Sequence, residues 1–568
     1  MLVAPVNSLQ PLQSRILEFR GLNKKSMVEQ GELHDMKNLS SDEYPCLYQR
    51  KPRGLFTESP AECIKPLAMI QKRTKLAIIG YKPDGKIRFF YDGHEVTALG
   101  DLTESTTMTA INSRICFFPE NKAYNVVDGS VQDLGAEITV ASASLKIDTD
   151  AGTATLSMGT GMSAFKVDDV VEIEGHFGDF YYKDLGSSTS KAALASLVKG
   201  VSGNDIQLDA AAFLDLTTAG VSEVTCTEVR IAREIPKLKY IMESGNRLWG
   251  VSDRDNTIYA CKLGDPTNWN YFQGTSMDSY YAEQGSDGEW TGCAAYSNHL
   301  MFFKEGVIHK VYGSTPSSYQ ITTTQCYGLE KGSSKSVAIV NDTVIYKSQI
   351  GFMAYSGDTP YCISQKFGSM HFNNVIAGSN GLKYYASIHD MDTDEFWILV
   401  LDTDRGLWHK EDNVRVREFC FLNNKLLFIA DKSSEYFEAD RIYVVDAPNG
   451  LPQERNIKWW AEIGPFDEFL PTSATTQNQS DLVEEKKIYS RIDMRMNIED
   501  DTVLDFYIKM DDGDWEYIDR KTHTHGKVIQ EVFTPRRCNK FSVRIEGQGN
   551  CRIDSLRRRY RIGTGGNL

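Results

Sequence analysis

A strand–turn–strand unit that recurs along the chain constrains the fold more than any other feature of this sequence. Each copy reads as a polar turn, an apolar strand, a second turn and a second apolar strand. The copies begin at Asn246, Asn298, Asn341, Asp394 and Asn424, so their starts are 52, 43, 53 and 30 residues apart. This spacing averages about 44 residues, which is typical of propeller blades built from four short strands. The repeat predicts an all-β fold, a six- or seven-bladed β-propeller, with seven blades preferred.

The regions around the repeat have a different texture. Residues 131–228 are rich in Ala, Ser, Thr and Gly and predict a small inserted β domain, in which residues 190–199 are the one helix-like piece. Apolar and polar residues alternate with period two near the C-terminus, which predicts a β-sandwich. The predicted boundaries are 1–64 for an N-terminal arm, 65–130 for the first blades, 131–230 for the inserted domain, 231–450 for the remaining blades and 451–568 for the sandwich.

The balance of charge restricts the partners. The 568 residues include 62 Lys and Arg against 77 Asp and Glu, a net charge of −15, so the chain is a poor candidate for wrapping nucleic acid. A local basic run near the C-terminus departs from this average. Such a run is most often a solvated face, and the alternative is contact with an acidic protein surface or nucleic acid. The tyrosine inside it favours an interface. The candidate interface residues are Arg536, Arg537, Arg557, Arg558, Arg559, Tyr560 and Arg561.

No sequence signature of catalysis, of a metal site or of a cofactor is present. Phosphate-binding loops, zinc-protease helices and nucleophile elbows are missing, and the 11 cysteines show no paired spacing. Asp253, Asp255, Asp390, Asp392 and Asp394 all fall at predicted turns, where carboxylates usually accept hydrogen bonds from the backbone. We therefore predict no enzyme activity and no catalytic residue. We also expect no secretory signal and no transmembrane helix.

Several segments resemble the β-propeller structural proteins of tailed bacteriophages, of the prophage type, found in the tail nozzle and at the head–tail junction. These segments are NRLWGVS at 246–252, NTIYACKLGDPTNW at 256–269, LMFFK at 300–304, VIHKVYG at 307–313, GFMAYSG at 351–357 and PRRCNKFSVRIEG at 535–547.

The resemblance implies a virion component of the tail, made in the host cytoplasm. It implies a homo-hexameric ring around the DNA channel, through which DNA passes without sequence-specific binding. The partners that it implies are portal or adaptor and other tail proteins. The arm and the C-terminal domain would contact neighbouring subunits. Since the chain is acidic, we expect channel-facing loops to be acidic or neutral and the arginines at 557–561 to lie at a protein interface. The alternative is a carbohydrate-binding or glycoside-cleaving propeller used in host adsorption.

Overall fold

The computed structural model describes residues 12–26, 28–183, 191–252, 254–448, 450–466, 486–498, 502–523 and 537–562. The predicted all-β class is confirmed, and the chain divides into two compact units, one of residues 68–331 and one of residues 1–67 with 332–568. The helical pieces are single turns: the α-helix Leu214–Thr218 and the 3-10 turns Thr97–Leu99, Ala210–Phe213, Pro316–Ser318, Ser334–Ser336, Gln365–Phe367 and Pro452–Glu454.

The described residues include seven four-stranded antiparallel sheets, numbered 1 to 7 in chain order. Sheet 1 comprises Lys65–Lys72, Lys75–Tyr81, Ile87–Tyr91 and His94–Glu95, and sheet 2 comprises Thr107–Ile111, Arg114–Phe118, Lys122–Asn125 and Val131–Asp133. Sheet 3 comprises Tyr240–Ser244, Arg247–Val251, Thr257–Ala260 and Tyr280–Glu283. Sheet 4 comprises Gly292–Tyr296, His299–Phe303, Val307–Tyr312 and Gln320–Gln325. Sheet 5 comprises Ala338–Val340, Thr343–Ser348, Gly351–Tyr355 and Tyr361–Cys362. Sheet 6 comprises Phe372–Ser379, Lys383–Asp390, Glu395–Asp402 and Leu407–Lys410. Sheet 7 comprises Val416–Leu422, Lys425–Ala430, Arg441–Val444 and Gly54–Leu55.

The repeat read from the sequence corresponds to hairpins inside these sheets. Its polar turns place Asn246, Asn341, Asp394 and Asn424 at positive φ, where Asn and Asp are the side chains best tolerated. The unit predicted at Asp394 is displaced, because it begins on the third strand of sheet 6 instead of the second. Measured between second strands, sheets 3 to 7 follow each other at intervals of 52, 44, 40 and 42 residues. The apparent spacings of 53 and 30 residues arise from this one-strand displacement.

The inserted region folds as a closed barrel. Its strand Glu223–Arg233 pairs with Ala136–Asp148 on one side and with Val170–Phe177 on the other, which completes a ring of pairings. Of the residues predicted as helix-like at 190–199, those from Leu194 onward belong to the strand Leu194–Ser202 instead, because alternate side chains there enter the barrel core. The remaining strands are Thr153–Ser157, Phe180–Tyr182, Leu194–Ser202 and Asp205–Asp209.

The C-terminal region is a two-sheet domain whose inner faces share one apolar core, including Met494, Phe506, Val543 and Ile553. Sheet A contains Leu12–Ile16, Leu39–Ser40, Leu47–Gln49, Lys487–Ile498, Arg537–Cys538 and Cys551–Ile562. Sheet B contains Leu33–Lys37, Lys458–Phe466, Thr502–Met510, Glu516–His523 and Phe541–Gln548.

The N-terminal arm supplies strands to both of these sheets and to sheet 7. In its described residues the arm therefore packs on its own chain, and its contact with neighbouring subunits stays a prediction. Its short strands could not be assigned from the sequence because their partners lie hundreds of residues away. The polar run predicted as a loop at 471–481 lies outside the described residues.

A buried cluster of charges, the arginine clamp, fixes the arm; it comprises Arg50, Arg53, Glu411, Asp412 and Glu454. Arg50 donates from Nη1 and Nη2 to the two carboxylate oxygens of Glu454, at 2.5 and 3.0 Å. Arg53 donates from Nη1 to Asp412 Oδ1 at 2.8 Å and pairs with Glu411. Burial opposes ionisation of Asp412, yet the two guanidinium groups outweigh it and hold the pKa of that carboxyl below its usual value. The clamp fastens the arm to the segment after sheet 6 and to the start of the C-terminal domain.

Candidate functional site

Strand Cys551–Ile562 carries most of the predicted interface and lies inside sheet A. Over residues 556–560 it has Leu12–Ile16 on one side and Lys487–Ile498 on the other. Since side chains alternate across a strand, the arginine run is divided between two faces. The register places Arg557 between Arg15 and Asp493.

Two of the predicted interface residues point into the domain. Arg558 is 2% exposed, its guanidinium lies 3.8 Å from the ring centroid of Phe466, and its Nη2 donates to Ser14 Oγ at 2.8 Å. Tyr560 is 5% exposed and packs against Tyr489, with ring centroids 5.7 Å apart. Both side chains therefore hold sheet A on its core and are buried in the folded chain.

The other predicted residues point outward, and three further arginines join them. Arg15, Arg491 and Arg495 come from the two flanking strands, and sequence reasoning missed them because it considered only a contiguous run. Arg536 lies outside the described residues. The arginine face is the outer surface of sheet A formed by Arg15, Arg491, Arg495, Arg537, Arg557, Arg559 and Arg561.

One carboxylate, Asp493, serves this face. Arg557 donates from Nε to Asp493 Oδ2 at 2.8 Å, and Arg491 pairs with the other oxygen. Burial would raise the pKa of Asp493, but hydrogen bonds from Arg557 and Arg491 outweigh it and hold the pKa below its usual value of 3.8.

The remaining guanidinium groups of the face have no such partner. Among the residues that the structure describes, Arg15, Arg495, Arg559 and Arg561 make no ion pair, and Nε of Arg559 is buried without a hydrogen-bond partner. At the other end of the same strand the pattern stops, because Arg552 is balanced by Asp554 and Glu43.

A shallow cavity of about 340 Å³ opens in the arginine face. Arg15, Arg495 and Arg557 line it together with Leu17, which is 62% exposed. Guanidinium groups bind carboxylates and phosphates through paired donors, and an exposed apolar side chain beside them is a common feature of protein interfaces. The arrangement can therefore hold an anionic group of a partner.

Three of the five turn carboxylates weighed from the sequence, Asp255, Asp390 and Asp392, accept backbone hydrogen bonds as predicted. Asp255 accepts a hydrogen bond from the backbone N–H of Thr257 at 2.9 Å, and Asp390 accepts one from the backbone N–H of Asp392 at 3.0 Å. Asp394 contacts the ring of His389 at 2.8 Å, and Asp253 lies outside the described residues.

The described ranges hold neither a cluster of potential metal ligands nor a helix that could span a membrane. They contain no group of three or more His, Cys, Asp and Glu side chains placed to hold a metal ion. Within the same ranges, no helix has the length and apolar character needed to cross a membrane.

Comparison with known proteins gives only distant similarities. No family model matches the chain, and no curated protein matches it. Among solved structures, it is similar to Hsv2 of Kluyveromyces lactis (TM-score 0.26, 13% identity, covering 51% of this chain and 88% of that one). It is also similar to PorZ, a surface component of the type-IX secretion system of Porphyromonas gingivalis (TM-score 0.25, 10% identity, 91% and 78% covered). A third is an exo-β-1,3-galactanase of Phanerochaete chrysosporium (TM-score 0.22, 10% identity, 56% and 95% covered).

Proposed function

We propose that this chain is a structural protein of a bacteriophage tail, without enzyme activity, that assembles into a ring and joins neighbouring tail proteins. The observation that carries the proposal is the arginine face: seven outward arginines that share one carboxylate among the described residues, on a chain with a net charge of −15. Within the part of the chain that the structure describes, this face lacks the counter-charges that would balance it, so it suits an interface with an acidic partner surface.

The architecture that we propose is a seven-bladed propeller with an inserted barrel and a C-terminal sandwich. Within one compact unit, Tyr240–Ser244 of sheet 3 lies against the first strands of sheets 2 and 4. Within the other, Phe372–Ser379 of sheet 6 lies against the first strands of sheets 5 and 7. Contact between first strands is what the inner strands of adjacent blades make. Strand Gly54–Leu55, taken from the N-terminal arm, completes sheet 7 in the way that a closed propeller requires.

A second copy of the chain supplies a fitting partner surface. Acidic residues exceed basic ones by 15 although seven arginines are concentrated on one face, so the remaining surface of every copy is more acidic than the average. The same reasoning favours an acidic portal or adaptor protein as the next contact. It also supports the expectation that the DNA channel is lined by acidic or neutral loops, over which phosphates slide without binding.

Electron microscopy and sedimentation of the purified full chain test the proposal. The parent protein should form rings of six, and the rings should weaken as NaCl is added because exposed charge pairs are screened. The triple variant R15E/R495E/R561E should assemble about 100-fold or more weakly, because like charges then face each other across the interface. The matched control K146E/R254E/K425E makes the same change in charge at exposed positions off the face and should assemble as the parent does.

Two outcomes would overturn the proposal. One is a parent chain that stays monomeric at every concentration and is missing from virions. The other is a reconstruction in which the arginine face lines the lumen, since such a channel would hold DNA instead of letting it slide.

A further inference from the structure

The arginine face cannot bind the same face of a second copy. Such a contact would place the seven arginines of one copy against the seven of the other, and like charges across an interface repel. Asp493, the one carboxylate that serves the face among the described residues, already accepts hydrogen bonds from Arg557 and Arg491. A second copy must therefore present a different surface, and a contact between two different surfaces generates a ring when its rotation closes.

The shape of the face restricts that surface further. Its shallow cavity of about 340 Å³ is lined by Arg15, Arg495 and Arg557, with the exposed side chain of Leu17 beside them. An element that enters this cavity must protrude, carry carboxylates and offer an apolar side chain to Leu17. The tip of a hairpin has this shape, whereas the flat face of a sheet does not.

One hairpin of sheet 6, residues 390–395, meets these conditions and is named the acidic hairpin. It joins the second and third strands of the sheet, which pair with Asp390 opposite Glu395, so four residues form the turn. Met391 in this turn is 56% exposed. The exposed acidic side chains of the hairpin are Asp392, Asp394 and Glu395.

These three carboxylates keep their negative charge within the monomer. Asp392 and Asp394 contact the rings of His371 and His389, at 3.4 and 2.8 Å. Glu395 makes no ion pair with any residue that the structure describes. No lysine or arginine of the described ranges pairs with the acidic hairpin. Its charge is therefore available to a partner.

Three lysines line a cavity next to the acidic hairpin, and their charges are used elsewhere. Lys24 and Lys410 pair with Asp35 at 3.2 and 2.6 Å. The ammonium of Lys37 lies 5.0 Å from the ring centroid of Trp460, within the range of cation–π attraction. Within the described residues, none of the three forms an ion pair with the acidic hairpin.

Hydrogen bonds from its own chain hold the acidic hairpin in shape. The backbone N–H of Asp392 donates to Asp390 Oδ1 at 3.0 Å, and the backbone N–H of Met391 donates to the carbonyl of His371 at 2.9 Å. The backbone N–H of His371 in turn donates to Asp392 Oδ2 at 3.3 Å. Because the tip is already ordered, little conformational entropy is lost when it binds.

A second hairpin, residues 511–516, also has four acidic residues in six but matches the face less well. Asp512 pairs with Lys540 at 2.8 Å, so a lysine already neutralises part of its charge. Asp511 accepts hydrogen bonds from the backbone N–H groups of Asn539 and Lys540, at 2.7 and 3.1 Å. This hairpin therefore provides a matched control.

We infer that the acidic hairpin of one copy docks into the cavity of the arginine face of the next copy. The inference rests on the proposed function, since it takes the ring as given. The exposed carboxylates accept charge-assisted hydrogen bonds from Arg15, Arg495 and Arg557, and Met391 packs against Leu17. Each copy thus uses its face towards one neighbour and its hairpin towards the other.

Sedimentation of two charge-reversed variants of the full chain, alone and mixed, tests the inference. The face variant is R15E/R495E/R561E, and the hairpin variant is D392R/D394N/E395R, in which asparagine tolerates the positive φ of position 394. Each variant alone should assemble about 100-fold or more weakly than the parent, because like charges then meet. An equimolar mixture should recover to within about tenfold of the parent, because each reversed face meets a reversed hairpin and the two chains alternate around a ring of six.

The control variant D512R/D514N/E516R makes the same change in charge on the second hairpin and should assemble as the parent does. The substituted side chains of all three variants are exposed, so each should unfold at the same urea concentration as the parent. A loss of assembly then reports on the interface and not on the fold.

Three results would each overturn the inference and leave the proposed function in place. They are rings that persist in the hairpin variant, a mixture that assembles as weakly as either variant alone, and a loss of assembly in the control as large as in the hairpin variant. A parent chain that does not assemble would overturn both.

Discussion

The arginine clamp and the arginine face use the same side chain in opposite ways. In the clamp, Arg50 and Arg53 are 4% and 1% exposed and share three carboxylates, so each guanidinium lost its water and gained charged acceptors. On the face, seven arginines keep contact with solvent and, among the described residues, Asp493 is the one carboxylate they share. Desolvation makes an unmatched buried charge expensive, whereas an unmatched exposed charge costs little. The clamp thus serves the fold, and the face retains binding capacity for a partner.

The largest expected difference between the two regions is in the free energy of unfolding, and it should follow from breaking the clamp. E454Q removes the charge that accepts two hydrogen bonds from Arg50 and one from the backbone N–H of Arg53 at 3.1 Å. Since Arg50 loses its two shortest hydrogen bonds to a buried carboxylate and keeps only Asp412 at 3.3 Å and Glu411 at 3.8 Å, the free energy of unfolding should fall by about 3 to 5 kcal/mol. Urea unfolding followed by tryptophan fluorescence measures the change.

The control for this variant is E438Q, which breaks the exposed pair between Arg441 and Glu438. Its unfolding curve should shift by about 0.5 kcal/mol or less. Equal shifts of the unfolding curves for E454Q and E438Q would show that the clamp does not stabilise the attachment of the arm.

A smaller effect on the free energy of unfolding is expected at Arg558. This residue lies within the arginine run of the sequence, but its side chain is buried inside the domain. S14A removes the hydroxyl that accepts from Nη2 of Arg558. A buried donor that loses its acceptor should lower the free energy of unfolding by about 1 to 3 kcal/mol, measured by the same urea titration. The neighbouring exposed substitution Q13A should have no measurable effect, and a destabilisation by Q13A as large as that by S14A would contradict the assignment of Arg558 to the core.

The smallest effect on stability is expected from D493N. The pKa of Asp493 is lowered in the folded chain, so its ionised form stabilises the fold above its usual value of 3.8, and this stabilisation is lost as the pH falls through the folded pKa. The parent should therefore exceed D493N by about 1 kcal/mol or less at pH 7, and the difference should shrink below pH 3.8.

The same variant should tighten assembly at pH 7, because two arginines lose their internal counter-charge and become available to the partner. Sedimentation at matched concentrations measures this change. Weaker assembly in D493N would mean that Asp493 itself contacts the partner.

The sequence contained enough to predict the class of fold and many of its hairpins. Turns such as Asp84-Gly85, and the asparagines at positive φ, are local signals, and the strands on either side pair with each other. The inserted β region was visible from composition, although its boundaries and its closure into a barrel were not. Closure depends on pairing between residues 172–177 and 226–232, which no local pattern reveals.

The candidate site was harder to predict for two physical reasons. Arg15 and Arg495 come to the face from strands at opposite ends of the sequence, so only the tertiary register brings them beside Arg557. In addition, the strand shifts register near Ser555, so the buried positions change from odd-numbered, as at Ile553, to even-numbered residues. Period-two reasoning from the start of the strand therefore assigns the wrong face to the arginines that follow.

The strand Gly54–Leu55 has a consequence for how the protein is made. It is among the first segments to leave the ribosome, yet its partner Arg441–Val444 is synthesised about 390 residues later. At synthesis rates of about 5 to 20 residues per second, the strand waits roughly 20 to 80 s before sheet 7 can be completed. Throughout that time the nascent chain carries an unpaired edge, which exposes it to aggregation and to exchange with a neighbouring nascent chain. Sheet 7 is therefore the last of the seven that can finish folding, and only the C-terminal domain is still to be completed when it does.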